Sequence, residues 1–585
     1  MTYTPPTAEQ IFVLTHVADI ERLAAHPRFA DATPDMVDAI ATGIGEFAAD
    51  VYAPLNRVGD TQPPVWRDGA VTMPPGFKAA YAQFVDAGWG SIDGPTAYGG
   101  QGLPFSLAML VIEALGTADM GFTLISILTP GAIHALMAHG SDDQRARWLP
   151  KLVSGAWNGT MNLTEPQAGS DVGALRSTAE PVTSGGHAGL YKIRGQKIFI
   201  TFGEHDLTDN IVHLVLARTP GAPAGTRGIS LFLVPKYRID ANGAPTIDNG
   251  VRCVSIEHKL GIHASPTCVM AYGDDGDCYG ELVGGEMGGM KAMFTMMNNA
   301  RIAVACQGIQ IAERATQQAQ RFAADRVQSA RAGSPDKSAV AIDQHPDVRR
   351  MLWRMRAQTE AARALVYYAA SRVDFAHTGD EDAALRAEIL IPLAKAHATD
   401  IGCEVASIGI QVHGGMGFVE ETGAAQHYRD ARIAPIYEGT NGIQAADLVG
   451  RKLGMGGGSG GGGGVIGLID DIARAAADWP ALAELAASTR HVAQHFLDGA
   501  STEDRLAGSY PFLTMLSVAT CGWLMARQHA AAAALGDAGD GDPTFLAAKM
   551  ASARFYLDQI VPEATGLRAA ALAGGSALPP IPKVA

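Results

Sequence analysis

Apolar positions in the first part of the chain recur at helical spacing. In "PDMVDAIATGIGEFAADVYAPLNRVGD" they return every three or four residues, and "FSLAMLVIEALGTADMGFTLISILTPGAIHALMAHG" is apolar enough for two buried helices. "SDDQRARWLPKLVSG" opens with a serine cap and acids in its first turn, where they meet unpaired helix N–H groups. "AYGGQGLP" is a turn cluster. Residues 1–158 therefore predict a helical region.

Near residue 160 the period shortens. "YKIRGQKIFITF", "NIVHLVLART" and "RGISLFLVPKY" are brief, rich in Ile, Val and Phe, and separated by Gly, Pro and Asp. They predict strands, and a small sheet or barrel over about 160–280. Helical spacing returns in "ARIAVACQGIQIAERATQQAQRFAADR", where Ile302, Ala305, Ile309, Ala312 and Ala319 share a face. More helices are expected over 344–376, 382–412 and 440–452. "GMGGGSGGGGG", 454–464, matches G-x-G-x-x-G only trivially. With no strand before it and no acidic partner after it, it reads as a flexible tether. Residues 465–585 are Ala-rich and helical, broken at "GDAGDGDP", with twelve acids against eight Lys or Arg.

The order is helices, strands, helices, tether, helices. Runs of each type argue for separate layers rather than βαβ units, and so against a Rossmann arrangement. At roughly 100–200 residues per domain, three to five units are expected. The expected boundaries are an N-terminal helical extension (1–34), a helical domain (35–158), a middle β domain (159–282), a helical bundle (283–453), a Gly-rich linker (454–464) and an additional helical domain (465–585).

Composition narrows the function. Hydrophobic residues make up 47% and charged residues 18%, enough for large cores. A formal net charge of −15 argues against a general nucleic-acid binder, which needs a basic footprint. Cys253, Cys268, Cys278, Cys306, Cys403 and Cys521 form no C-x-x-C pair and read as reduced thiols of a cytoplasmic protein. The start "MTYTPPTAEQIFVL" lacks a secretory pattern, and no uninterrupted apolar run reaches the ~18–20 residues that span a bilayer.

Four segments could carry chemistry. "MNLTEPQAGSDVGALRS", 161–177, groups Thr164, Ser170 and Asp171 around Gly169 just before the strands, where hydroxyls and backbone N–H groups could bond a planar ring's edge. The other reading is an ordinary capped entry loop. In "GQKIFITFGEHD" alternation puts Phe199 and Thr201 on one face, as a cover for a flat cofactor or as plain core. "QVHGGMGFVEETGAAQHYRDARI" has glycines that permit close backbone approach, and His413 has no ligand partner at i+3 or i+4, so a metal is not expected. "IAPIYEGTNGIQ" holds one carboxylate, Glu438, among Ile433, Ile436 and Tyr437. Partial desolvation there would raise its pKa toward that of a working base. No basic residue stands beside it, and a close Lys or Arg would weaken such a base.

Together these segments resemble the acyl-CoA dehydrogenase family. "LTEPQAGSDV" is similar to its flavin loop, "GQKIFIT" to its aromatic-X-Thr strand, "QVHGGMGF" to its Gln-x-x-Gly-Gly turn, and "RDARIAPIYEGTNGIQ" to its Arg-Asp helix end and Tyr-Glu-Gly-Thr loop. Order and spacing agree across about 35–450. The opening "YTPPTAEQIFVLTHVADIERL" and the extra C-terminal region resemble a longer subgroup that includes 3-methylmercaptopropionyl-CoA dehydrogenases.

The resemblance implies a mostly α fold: an N-terminal helical domain, a middle β-barrel-like domain and a C-terminal four-helix bundle, with FAD at their junction, plus the additional helical domain. It implies that Glu438 removes the α-proton of an acyl-CoA while a hydride leaves the β-carbon for flavin N5, giving a trans-2-enoyl-CoA. The backbone N–H of Glu438 would polarise the thioester, and Gly439 would leave it room. Leu163, Thr164, Gly169 and Ser170 match flavin-loop positions, with Ser170 also on the CoA side. Phe199, Ile200 and Thr201 match the flavin cover, with Phe in place of the usual Trp. Arg301 matches a substrate-site arginine, while Asn298 stands where an Asp is usual. Arg326, Gln411, Gly414 and Gly415 match contacts to a neighbouring subunit's FAD, which implies an oligomer, a dimer in this subgroup. Thr440 matches the adenine side, with Gly442 in place of a glutamine.

The implied partners are an acyl-CoA of short to medium chain, 3-methylmercaptopropionyl-CoA among the candidates, and an electron-transfer flavoprotein as acceptor. An acyl-CoA oxidase is an alternative that the sequence separates poorly. A non-catalytic relative binding flavin and DNA would predict a lost base and a basic tail, and this chain has neither.

Overall fold

The computed structural model describes residues 3–456 and 464–582. Most of the predicted glycine-rich linker, 454–464, lies outside the described residues. The chain divides into two compact units, one of residues 46–103 and 118–300, the other of 1–45, 104–117 and 301–585.

The first unit is built on an eight-stranded mixed sheet. Its strands are β1 (Trp157–Asn162), β2 (Thr178–Pro181), β3 (Tyr191–Thr201), β4 (Asn210–Ala217), β5 (Ser230–Pro235), β6 (Val251–Ile256), β7 (Thr267–Tyr272) and β8 (Tyr279–Val283). The spatial order is β6-β7-β3-β8-β5-β4-β1, with β2 on β3. Only β1 and β4 pair in parallel, Trp157 opposite Asn210. Both faces are buried, so the central strands read as continuous apolar runs. Val212, Leu214, Leu216, Leu231 and Leu233 point to one cluster with Trp148, Trp157 and Met296. The alternate residues Val215, Ala217, Phe232 and Val234 point to a second with Ile193, Met270 and Tyr272.

Helices Ile125–His139 and Asp142–Val153 pack beside β1. The second begins with the expected Ser141 cap, here a full capping box with Gln144. Segment Met120–His139 is long and apolar enough to cross a membrane by length and composition, yet 83% of its most apolar window is buried inside the fold, as in a core helix.

The second unit is helical. Helix Gly289–Asp325, which enters it at Arg301, runs with Pro346–Ala376 and Glu381–His413. Ile302, Ala305, Ile309, Ala312 and Ala319 are all fully buried. Helices Gly289–Asp325 and Glu381–His413 meet at a glycine contact. A β-carbon on Gly308 would lie 1.9 Å from the Ala398 carbonyl oxygen, so only hydrogen fits. Asp374 receives the N–H groups of Phe105 (2.7 Å) and Ser106 (2.9 Å) and so anchors helix Phe105–Ala118.

The C-terminal helices pack on this bundle through one buried ion cluster and one exposed ion pair. Lys549 donates to Glu9 (2.8 Å), Glu360 (3.1 Å) and Gln528 (2.6 Å). Arg354 makes a paired bond with Glu563 at 2.7 and 3.0 Å. Phe12 of the N-terminal helix Thr7–His16 packs with Ala532 and Leu546. The chain's two ends thus share one core.

Candidate active site

Residues 433–440 join helix Ala424–Ala431 to helix Asn441–Asp447. The Asn441 N–H donates to the Pro435 carbonyl at 3.0 Å and closes the loop at its base. At its apex two consecutive residues are left-handed, Glu438 (φ +55°) and Gly439 (φ +83°). The region is sterically costly for a residue with a β-carbon, so Glu438 is held there by its surroundings. A β-carbon on Gly439 would sit 2.8 Å from Gln444 Nε2. Gln444 Nε2 and Arg301 Nε both donate to the Glu438 carbonyl, each at 3.4 Å. Tyr437 is fixed from behind by its hydroxyl bond to Gln307.

Among the described residues nothing hydrogen-bonds the Glu438 carboxylate and nothing accepts its backbone N–H. Its side chain keeps some water contact, yet protein atoms surround it, and burial pushes its pKa up against the pull of Arg301 and Lys395. The expectation of an acid without cationic neighbours is therefore corrected. It holds along the chain and fails in space, because helices Gly289–Asp325 and Glu381–His413 bring in Arg301 and Lys395. Burial still outweighs both. Lys395 is fully buried, donates to Asn441 Oδ1 at 2.9 Å, and is pushed down to about 8 by desolvation.

In the sheet unit the expected flavin loop follows β1. Glu165 is its anchor. The carboxylate receives Lys197 Nζ (2.8 Å), Ser177 Oγ (2.7 Å), Arg176 N–H (2.7 Å) and Gln167 Nε2 (2.7 Å). Burial pushes its pKa up, but Lys197 and these donors win and hold it at about 2. Lys197 also donates to the Leu163 carbonyl at 3.1 Å, and the Ile198 N–H to the Thr164 carbonyl at 2.9 Å. The Thr164, Ser170 and Thr201 hydroxyls have no partner among the described residues, and Gly169 faces open space.

β3 carries a bulge. Ile200 pairs with Cys268 and Lys197 with Met270, so Ile198 and Phe199 oppose a single residue. Phe199 is left-handed (φ +61°) and the residue is 59% exposed. The plain-core reading of Phe199 is thus set aside. Asn298 is half-buried on helix Gly289–Asp325.

In the helical unit, Arg326, Gln411, Gly414 and Gly415 are exposed, and β-carbons on both glycines would meet open space. Phe418, just beyond, is 90% exposed. His413 is a packed residue, stacked on Phe322 and bonded to the Gly409 carbonyl at 2.7 Å. The Thr440 hydroxyl accepts the Ile443 N–H at 3.2 Å and caps helix Asn441–Asp447.

Sequence reasoning missed Lys395, Asn441, Gln444, Glu165 and Lys197. One signal was available for the lysines. Lys395 interrupts an apolar helix run, "ILIPLAKAHA", and Lys197 falls on the inward side of a strand, and a lysine in either place needs a partner.

Four family models cover nearly the whole chain: Acyl-CoA dehydrogenase, N-terminal domain (38–156), middle domain (160–274) and C-terminal domain (287–453), then Acetyl-CoA dehydrogenase C-terminal like (468–581). A 3-methylmercaptopropionyl-CoA dehydrogenase of Ruegeria pomeroyi is 45% identical over 96% of this chain and 97% of its own. A butyryl-CoA dehydrogenase of Syntrophomonas wolfei is 34% identical over 96% of each. Among solved structures, an acyl-CoA dehydrogenase of Bacillus anthracis complexed with FAD shares the fold, with TM-score 0.73 and 22% identity over 91% of this chain and 86% of that one. The ordered models, the Ruegeria relative's near-complete coverage and the fold together show that this chain belongs to the acyl-CoA dehydrogenase family.

Proposed function

We propose that this dehydrogenase uses Glu438 to remove the α-proton of an acyl-CoA thioester, with FAD as cofactor, giving the trans-2-enoyl-CoA. One observation carries the reading: a desolvated carboxylate without a hydrogen-bond donor stands on the same left-handed residue as a backbone N–H without an acceptor. The α-proton is far less acidic than a glutamic acid, so a base alone is insufficient. A donor aimed at the developing enolate oxygen contributes about 3 kcal/mol in comparable sites. Glu438 supplies both functions, and Gly439 keeps the approach clear.

The residues present fit the flavin. The exposed Phe199 ring offers a flat apolar face, Ile200 and Thr201 continue that strand, and the Thr164 and Ser170 hydroxyls are unengaged. FAD, when bound, supplies the acceptor for the hydride leaving the β-carbon. Leu163 and Gly169 place their backbone in the same loop. Thr440 would serve the cofactor through its backbone or its hydroxyl hydrogen, since the hydroxyl oxygen accepts the Ile443 N–H. Arg301, Asn298 and Ser170 are assigned to the substrate side.

Arg326, Gln411, Gly414 and Gly415 face outward and would reach a neighbour's FAD, which makes the working form an oligomer, a dimer in this reading. The names of the Ruegeria and Syntrophomonas relatives favour a short acyl chain, 3-methylmercaptopropionyl or butyryl. An electron-transfer flavoprotein is the proposed acceptor. Six free cysteines, five of them buried, suit a reducing cytoplasm.

The test is anaerobic bleaching of the bound flavin by a panel of acyl-CoA thioesters, with wild type and Glu438→Gln side by side. The variant is expected to keep its flavin and lose bleaching. Near-normal bleaching would refute the assignment of the base.

A further inference from the structure

We infer that the additional C-terminal domain holds the catalytic loop in place, with Tyr510 as a positioning residue acting through Asp400 and Asn441 on Glu438. The inference rests on reading Glu438 as the base. Tyr510 belongs to helix Ser509–Ala538 of the C-terminal domain, and its hydroxyl donates to Asp400 Oδ2. The other Asp400 oxygen receives Asn441 Nδ2 at 2.8 Å. Asn441 is fully engaged. The two amide hydrogens are shared among that carboxylate, the Ala396 carbonyl (3.1 Å) and Thr399 Oγ1 (3.0 Å), and Asn441 Oδ1 receives Lys395 Nζ (2.9 Å). Its backbone N–H then closes the loop onto Pro435 at 3.0 Å. Two residues, Gly439 and Thr440, separate Asn441 from the strained Glu438, so the position of the base depends on this amide.

The chain of contacts leads from an added domain to the reacting carboxylate. A left-handed glutamate needs support from its surroundings, and helix Asn441–Asp447 receives it from helix Ser509–Ala538 packed against it. Charge travels the same route. Asp400 faces Tyr510, Asn441, Lys395 and Arg432. Lys395 faces Glu438, Asp400 and Arg301, and Glu438 faces Arg301 and Lys395. Without the tyrosine donor, Asp400 would hold its charge less well, Lys395 would lose part of its support, and Glu438 would be harder to ionise.

The experiment uses the full-length holoenzyme with Tyr510→Phe and Asp400→Asn. Flavin bleaching is followed with butyryl-CoA and 3-methylmercaptopropionyl-CoA across pH, and amide exchange is followed in the peptide covering 433–444. Expected in both variants are unchanged flavin content, bleaching slowed about tenfold, an acid limb moved to higher pH, and faster exchange in that peptide. Wild-type rates and pH limb overturn the proposal even where melting temperature falls, because that is a packing role only. An effect in Tyr510→Phe without one in Asp400→Asn also overturns it, since the carboxylate is the link. Glu438→Gln separates the two readings: if it bleaches normally the base is misassigned, while the exchange data still decide whether Tyr510 holds the loop.

Discussion

Lys197 and Glu165 meet at 2.8 Å with side chains 0% and 4% exposed, one on strand β3 and the other in the loop after β1. The loop's hydroxyls keep their aim because this pair ties it to the strand beside Phe199. Removing one partner of such a pair leaves a buried charge and costs about 3–5 kcal/mol. Lys197→Met is expected to lower the melting temperature and the flavin content together. The double variant Lys197→Met/Glu165→Gln should recover part of the stability. Thermal melts and the absorbance ratio of flavin to protein check both. Full flavin retention in Lys197→Met would show that the loop does not need the pair.

Arg301 governs the ionisation of Glu438 from the side of the loop carbonyl. Its charge pulls the carboxyl pKa down while burial pushes it up, and burial wins. The wild-type bleaching rate is therefore expected to rise with pH through a midpoint above the ordinary glutamate value of about 4.3. Arg301→Gln removes a pull toward the charged form. Its limb should move to higher pH, slowing bleaching on the acid side. Arg301→Lys restores the charge and should return most of the limb. An unmoved limb in Arg301→Gln would separate the guanidinium from the base.

Gly439 carries the loop's second left-handed residue, and its α-carbon lies where a side chain would strike Gln444. Gly439→Ala is expected to cost about 1–2 kcal/mol of backbone strain. Displacing the neighbouring N–H by a fraction of an ångström should slow bleaching far more, about a hundredfold. Melting temperature and bleaching rate on the same preparation distinguish the two effects. A destabilised variant with a wild-type rate would limit Gly439 to the turn.

Much of this architecture was legible because it is periodic. Val212, Leu214 and Leu216 against Val215 and Ala217 show two buried faces directly, and Ile302, Ala305 and Ile309 show a helix face. The partial desolvation of Glu438 was legible from its neighbours along the chain. The residues that set its charge were not. Arg301 and Lys395 lie 137 and 43 positions before it (438 − 301 and 438 − 395) and meet it only once helices have packed. The β3 bulge was equally hidden. Strict alternation puts Phe199 and Thr201 on one face, with Lys197 beside them, and cannot say that an extra residue leaves Phe199 exposed and Thr201 half-buried while Lys197 and Ile200 both turn inward. Patterns of period reveal what is buried; the partners of a buried charge follow from tertiary contact.

The sheet unit should be one acid-sensitive part of the molecule. His205 and His213 are buried near β1 and β4 and are pushed down to about 3 by desolvation, with Lys236 adding to it. His213 Nδ1 shares a 2.7 Å bond with Thr160 Oγ1, while its Nε2 has no partner among the described residues. A folded-state pKa below the unfolded value of about 6.5 means that the unfolded chain binds the extra proton first as pH falls. Stability is therefore full above about pH 6.5 and declines below it, by about 1.4 kcal/mol per pH unit for each such histidine. Between pH 6.5 and 5 most carboxylates stay ionised, so the histidines dominate the slope in that window. His213→Gln should flatten it by one proton, as read from denaturant unfolding at a series of pH values or from amide exchange in β1 and β4. The same slope in wild type and variant would show that His213 is protonated in the folded chain, and the buried neutral imidazole would have to be abandoned.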